Sequence, residues 1–271
     1  MGGSILIILS ADAGIPYGPV EGLYILATVF ILLGVVIVLS IIKKLNLGKE
    51  FTYAIIKGGL QLTAISLFLT FLFDFEYWYF LIWILLVGMV LFGGYTSAKR
   101  ATGMKGAFSV TALAILVGST VVMIVLAVSR AMPLEPQFII PLAGMAFGNS
   151  MAICSICLDR MLREVKLNRT AIETALSLGA DSKKALEEYG KISIRASLIP
   201  TIDRLKTLGI IFIPGAMSGL LIAGTDPLVA AEYQIIVYLM IVGGGIITAI
   251  LVGMLIRKKL FNDADQLAEW I

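Results

Sequence analysis

Polar and sulfur-bearing side chains inside otherwise apolar stretches are the residues of this chain with chemistry to offer. Lys57 and Gln61 stand one helical turn apart on one face of an apolar run. The sequence GMAFGNSM puts Asn149, Ser150 and Met151 at the middle of another, and IPGAMSG carries Met217 and Ser218. Groups like these are costly inside lipid, so each is there for a transport path or for a bond between helices. Lys57 deep in hydrocarbon costs about 2.5 to 3.5 kcal/mol unless its stem lets the amine reach the interface. Gln61 either lines a path or bridges helices. Asn149 either faces the path or satisfies the backbone broken around Pro214 and Gly219.

Met151, Cys154 and Met217 offer soft ligands to a metal, although methionine fills irregular cores as readily. Cys154 and Cys157 share a face at i, i+3, but two thiols without imidazole or carboxylate make a thin metal set. The chain has no histidine, and hence no Ser/His/Asp arrangement. It also lacks G-x-x-x-x-G-K-[ST], the loop that cradles nucleotide phosphates. These absences argue against an enzyme and against direct binding of ATP or any other cofactor.

The elements that carry these residues are membrane helices. Of 271 residues, 59% are apolar and 14% charged, with mean hydropathy +0.99, a balance that defines an integral membrane protein. Windows long enough for a hydrocarbon layer of about 30 Å recur seven times, at 20–42, 51–73, 77–95, 107–129, 138–159, 207–224 and 233–256. The sixth contains Pro214, Gly215 and Gly219, so a full, broken or re-entrant helix is open there. Gly144 and Gly148 in the fifth have the G-x-x-x-G spacing that lets helices approach closely.

Lys43, Lys44 and Lys49, then Lys99, Arg100 and Lys105, then a basic series from Arg160 to Lys206, then Arg257 to Lys259 fall in alternate loops. The positive-inside bias makes those loops cytoplasmic. The opposite loops hold Asp74, Glu76, Glu135, Asp226 and Glu232, with Arg130 as the one basic residue. The expectation is one all-α, polytopic membrane domain over residues 1–271. It has about seven transmembrane helices, the N-terminus outside and the C-terminus in the cytoplasm. The run MGGSILIILSADAG lacks a basic flank and reads as an external lead-in.

Residues 160–206 are then a cytoplasmic segment. Thr170 and Glu173 have the spacing of a capping box, and Gly179 suits a left-handed C-terminal cap. The spacing predicts a helix of about eight residues from Ala171, too short to stand alone in water. Asp181 or Ser182 caps a second helix running to about Ser197 and stopping before Pro200. The short helix, with Ile172, Ala175, Leu176 and Leu178 exposed, suits docking into another protein, or else it folds onto its own membrane domain.

ETALSLGADSKKAL resembles the E-A-A, three residues, G loop of ABC-transporter permeases: Glu173, Ala175 and Gly179 match, and Thr174 replaces the middle alanine. The LIP at Leu198 to Pro200 arrives later than in importers. IPLAGMAFGNSMA (140–152), SIRASLIPTID (193–203) and IPGAMSGLLIAGTDPLVAAEYQ (213–234) together resemble the FetB-like family of bacterial iron-export permeases, with plant relatives linked to aluminium tolerance. The resemblance implies a homodimeric permease in the inner (plasma) membrane, joined to two ATPase subunits that bind ATP and Mg. It makes Thr170, Glu173, Ala175, Leu178, Gly179 and Ala180 the coupling residues. Iron or another metal is the implied cargo, with no nucleic-acid partner. An organic anion such as a nucleotide sugar, with Lys57 in the path, is the alternative cargo, and a non-transport membrane scaffold the alternative class.

Overall fold

The computed structural model describes residues 19–44, 48–262, 266–268 and 270–271, so the N-terminal lead-in lies outside the described residues. The described residues form nine helices: α1 Pro19–Ile42, α2 Gly48–Asp74, α3 Trp78–Ala98, α4 Ala107–Val128, α5 Pro136–Leu167, α6 Arg169–Ser177, α7 Ser182–Lys206, α8 Gly215–Ile222 and α9 Pro227–Leu260. The protein is all-helical, and α2, α3, α4, α5 and α9 are long and apolar enough to cross a membrane. The chain divides into two compact units, residues 1–76 with 218–227, and residues 77–217 with 228–271.

A helix stands at every expected span except the sixth. Over 207–224, the chain turns through Gly209 at φ +82° and reaches Pro214 before the eight-residue α8 begins. Eight residues rise about 12 Å, less than half of a hydrocarbon layer. Hydropathy therefore marks a segment there that does not cross as one helix.

In the first unit α1 and α2 pair at their joined ends, where Ile37 packs 3.6 Å from a side-chain position on Gly48. Of the described α2 side chains, Leu72 alone is buried. Thr28, Thr52, Thr63 and Thr70 each donate their hydroxyl to a carbonyl three or four residues back, at 2.7 to 3.1 Å. This back-bonding satisfies a hydroxyl without water.

The second unit is built on backbone contact. Gly118 of α4 and Gly244 of α9 meet so closely that a Cβ on Gly244 would stand 2.9 Å from the Gly118 carbonyl oxygen. Thr248, one turn on, donates to the Gly244 carbonyl at 2.9 Å and approaches that of Ala114 at 3.4 Å. Gly94 of α3 seats the Ala112 backbone in the same way, and Thr111 donates across to the Gly94 carbonyl at 2.8 Å. Small residues replace the missing hydrophobic force between membrane helices by letting main chains touch. The Gly144 and Gly148 pair is not used so: no atom lies within 4 Å of a Cβ on either.

Gly244→Val is expected to destabilise the folded protein by about 1–3 kcal/mol or more through overpacking, read as a lower unfolding temperature in detergent. Gly88→Ala, in open space on α3, should leave that temperature unchanged.

Candidate functional site

The site is the joint between α5, α6 and α7. Asn168 ends α5 and starts α6: its amide N–H and its Nδ2 both donate to the Glu164 carbonyl, at 3.0 and 2.9 Å, and its own carbonyl accepts from the Ile172 N–H. α6 thus begins at Arg169, earlier than the Thr170–Glu173 spacing predicts, and no capping box forms. The reason is competition. Glu173 takes Arg169 Nε at 2.8 Å, an i, i+4 ion pair within the helix, and the Thr170 carbonyl accepts from Thr174 Oγ1 at 2.8 Å.

The other end matches the sequence expectation. Gly179 has φ +89°, its N–H donates to the Leu176 carbonyl at 2.9 Å, and the Ala180 N–H donates to the Ala175 carbonyl at 3.0 Å. That pair of bonds is a Schellman closure, which a residue with a Cβ at position 179 strains. Asp181 then caps α7 by accepting from the Lys184 N–H at 2.6 Å. α7 does not stop before Pro200 but runs on to Lys206. Pro200 forfeits one backbone bond, while Ser193, Ser197 and Thr201, one turn apart and buried, keep the helix packed past it. In the first half of α7, the hydrogen bond from Lys191 and then its charge hold the Glu187 carboxyl below the usual range, and Glu187 raises Lys191 in return.

The apolar face of α6 turns inward. Ile172 is 1% exposed, in one cluster with Met161, Val165, Leu186 and Leu260, while Ala175 and Leu176 are half-buried against it. The expectation that all four apolar side chains face outward therefore holds only for Leu178, 83% exposed at the tip. A nine-residue helix gains little from its own hydrogen bonds, so the core claims whatever apolar surface it can reach.

A brace missed by sequence reasoning completes the site. After α9 the chain hooks back: Ala268 N–H donates to the Leu260 carbonyl at 2.9 Å, and the Gln266 N–H to Asn262 Oδ1 at 2.9 Å. Leu267 enters the core cluster at 7% exposure, and Trp270 packs 3.7 Å from a side-chain position on Gly103, in the α3–α4 turn. Between hook and α6 lies a groove of about 530 Å³, lined by Arg169, Glu173, Leu176, Ala180, Gln266 and Leu267. The only signal in the sequence is the spacing of Leu267, Trp270 and Ile271 in a polar tail.

The residues proposed for a path are divided between the two units. Lys57 and Gln61 share an exposed face of α2 in the first unit, with Lys57 Nζ 5.8 Å from the centre of the Tyr53 ring. In the second unit Asn149 Nδ2 donates to the Ile241 carbonyl of α9 at 3.2 Å, and Ser150 is buried. The Met151 carbonyl accepts from Ser97 of α3 at 3.1 Å, and Ser97 in turn receives the Ser155 hydroxyl at 3.0 Å. Cys154 and Cys157 are fully buried, and Cys157 points its thiol at the Ala249 carbonyl, 3.8 Å away. These groups tie helices together. Among the described residues no three His, Cys, Asp or Glu side chains gather as a metal site.

The bond that holds the broken backbone comes from Gln234, not Asn149. Gln234, 2% exposed in α9, accepts from the Met217 N–H at 3.1 Å. It supplies the cap that Pro214 has no side chain to give. Ser218 lies beyond the division between the two units.

An all-helical polytopic membrane protein, with a short capped helix set between two long packed ones, is the class that this fold and site define. The chain belongs to the uncharacterised protein family UPF0014, whose pattern matches residues 23–261. It is 36% identical to the rice UPF0014 membrane protein STAR2 over 85% of this chain and 81% of that protein. It is 34% identical to ALUMINUM SENSITIVE 3 of Arabidopsis thaliana over 89% of this chain and 87% of that protein. It is 33% identical to the "Probable iron export permease protein FetB" of Escherichia coli over 89% of this chain and 93% of that protein. No solved structure matches the chain.

Leu267→Ala is expected to cost about 2–4 kcal/mol by emptying a core position and to speed amide hydrogen exchange in α6 more than in α4. Gly179→Ala should cost about 1 kcal/mol through its positive φ, read in the same exchange experiment at Gly179 and Ala180.

Proposed function

We propose that this chain is the permease subunit of an ATP-driven exporter in the inner membrane. It works as a homodimer, and α6 is the helix through which a separate ATPase subunit drives it. ATP and Mg belong to that partner, and this chain performs no hydrolysis. The observation that carries the reading is Leu178, 83% exposed on a turn locked on one side by the Gly179 closure and on the other by the Asp181 cap. An apolar side chain on a rigid polar tip costs free energy in water and repays it in a partner's pocket. Thr170, Glu173 and Ser177 are exposed around it, as the rim of such a contact requires.

The family supports transport, since one relative is named an iron export permease. A metal ion is accordingly the first cargo to test. The dimer has support in α5, where Pro141, Gly144, Gly148 and Ala152 are exposed at steps of three and four residues. A seam of small residues with nothing packed on it fits a second copy of the same helix.

Leu178→Asp is expected to weaken binding of the ATPase subunit about tenfold or more, measured by copurification and by ATPase rate in vesicles, with the unfolding temperature unchanged. Unaltered binding would exclude α6 as the coupling helix. Gly148→Cys should crosslink two copies under mild oxidation, and Gly148→Leu should shift the chain to monomer.

A further inference from the structure

Register sets the second half of α7 far from where a cytoplasmic segment belongs. α5 and α9 run parallel and in step: Asn149 meets Ile241 and Cys157 meets Ala249, each pair 92 residues apart. α7 runs the opposite way along them, with Gly190 beside Met161, Ile194 beside Gly253 and Ser197 near Cys157. Beyond those contacts Arg204 comes within electrostatic reach of Tyr238 on α9. The next fixed point, Met217, is held at Gln234, nearer the other end of α9. At 1.5 Å per residue the last two turns of α7 lie within about 10 Å of the midplane of the spanning helices. α7, not 207–224, makes most of the sixth crossing.

Its two faces differ in kind. Ser193, Ser197 and Thr201 are buried. Arg195, Ile199, Asp203 and Lys206 follow at steps of four, four and three, which puts them on the opposite face, and all four are exposed. Lys206 and Asp203 are 71% and 63% exposed and 3.9 Å apart, the outer limit of an ion pair. Arg195 has no ion pair among the described residues. Asp203 and Lys206 lie at this depth, where a charge costs about 2.5 to 3.5 kcal/mol in hydrocarbon, so their exposed face meets water, with Arg195 on the same face nearer the start of α7. Below Lys206 the helix breaks, the arrangement in which transport proteins place their sites.

We propose that the Arg195–Lys206 face of α7 lines an aqueous path through the bilayer and binds an oxyanion, a carboxylate or phosphate, carried by the cargo. Two cations to one carboxylate set the sign, and a metal taking this route travels as an anionic complex. The cargo assignment rests on the permease reading, whereas the path itself does not.

The test places cysteine on that face, Ile199→Cys and separately Ile202→Cys, in the full chain in lipid vesicles. Leu178→Cys serves as the water-exposed control and Leu116→Cys, on α4, as the apolar one. Charged methanethiosulfonate reagents that cannot cross lipid should modify the two α7 sites, the sulfonate reagent about tenfold faster than the trimethylammonium one relative to their rates at Leu178→Cys. Adding Arg195→Gln and Lys206→Gln should erase that preference. Citrate and inorganic phosphate, tested separately, should slow the sulfonate reagent, and the stronger of the two names the oxyanion. Reaction of both α7 sites only with a lipid-soluble maleimide, as for Leu116→Cys, overturns the path. Preference for the cationic reagent, or protection by neither anion, overturns oxyanion binding. None of these readings needs an ATPase, so a failed coupling helix and a failed path remain separate results.

Discussion

The touch of Gly118 against Gly244 sets the spacing on which the second unit depends. Two main chains this close leave no room for a side chain on either helix, and the nearby Thr248 hydroxyl closes onto the carbonyls beside it. In lipid, where every polar group must find an internal partner, such a contact is both cohesion and satisfaction. It holds α9 against α4, and α9 in turn holds α5 through Asn149 and Cys157 at a constant register. α6 and α7 are mounted on that pair, so the geometry of the α6 tip is inherited from glycines in the middle of spanning helices.

Polar residues at membrane depth sort by what they touch. Asn149, Ser97, Ser155, Thr111 and Gln234 each spend their hydrogen bond on another helix or on a broken backbone. A polar side chain with such a partner rigidifies the bundle and is withdrawn from cargo. Those on the outer face of α7 are left in water, and the distinction cannot be drawn from residue type. Asn149 and Asp203 are both polar, both in apolar company, and opposite in role.

Much of the fold was legible because length and hydropathy act locally: an apolar run of twenty residues has few choices. The Gly179 closure and the Asp181 cap were legible for the same reason, being decided within five residues. Three features were not. The run of α7 past Pro200 escaped because the burial of Ser193, Ser197 and Thr201 that carries it depends on helices distant in sequence. The Thr170–Glu173 box lost to Arg169, whose guanidinium reaches the same carboxylate. The close approaches of the chain's own helices, at Gly94, Gly118 and Gly244, escaped because spacing does not say which helix faces a glycine. Where an outcome depends on which distant element arrives, one dimension is too few.

The hook after α9 imposes an order on events. Leu267 and Trp270 leave the ribosome after α9, yet they complete the support of α6 and of the α3–α4 turn. During synthesis the tip is therefore present but unbraced until α9 has gone in. The support of α6 is thus tied to the completion of α9.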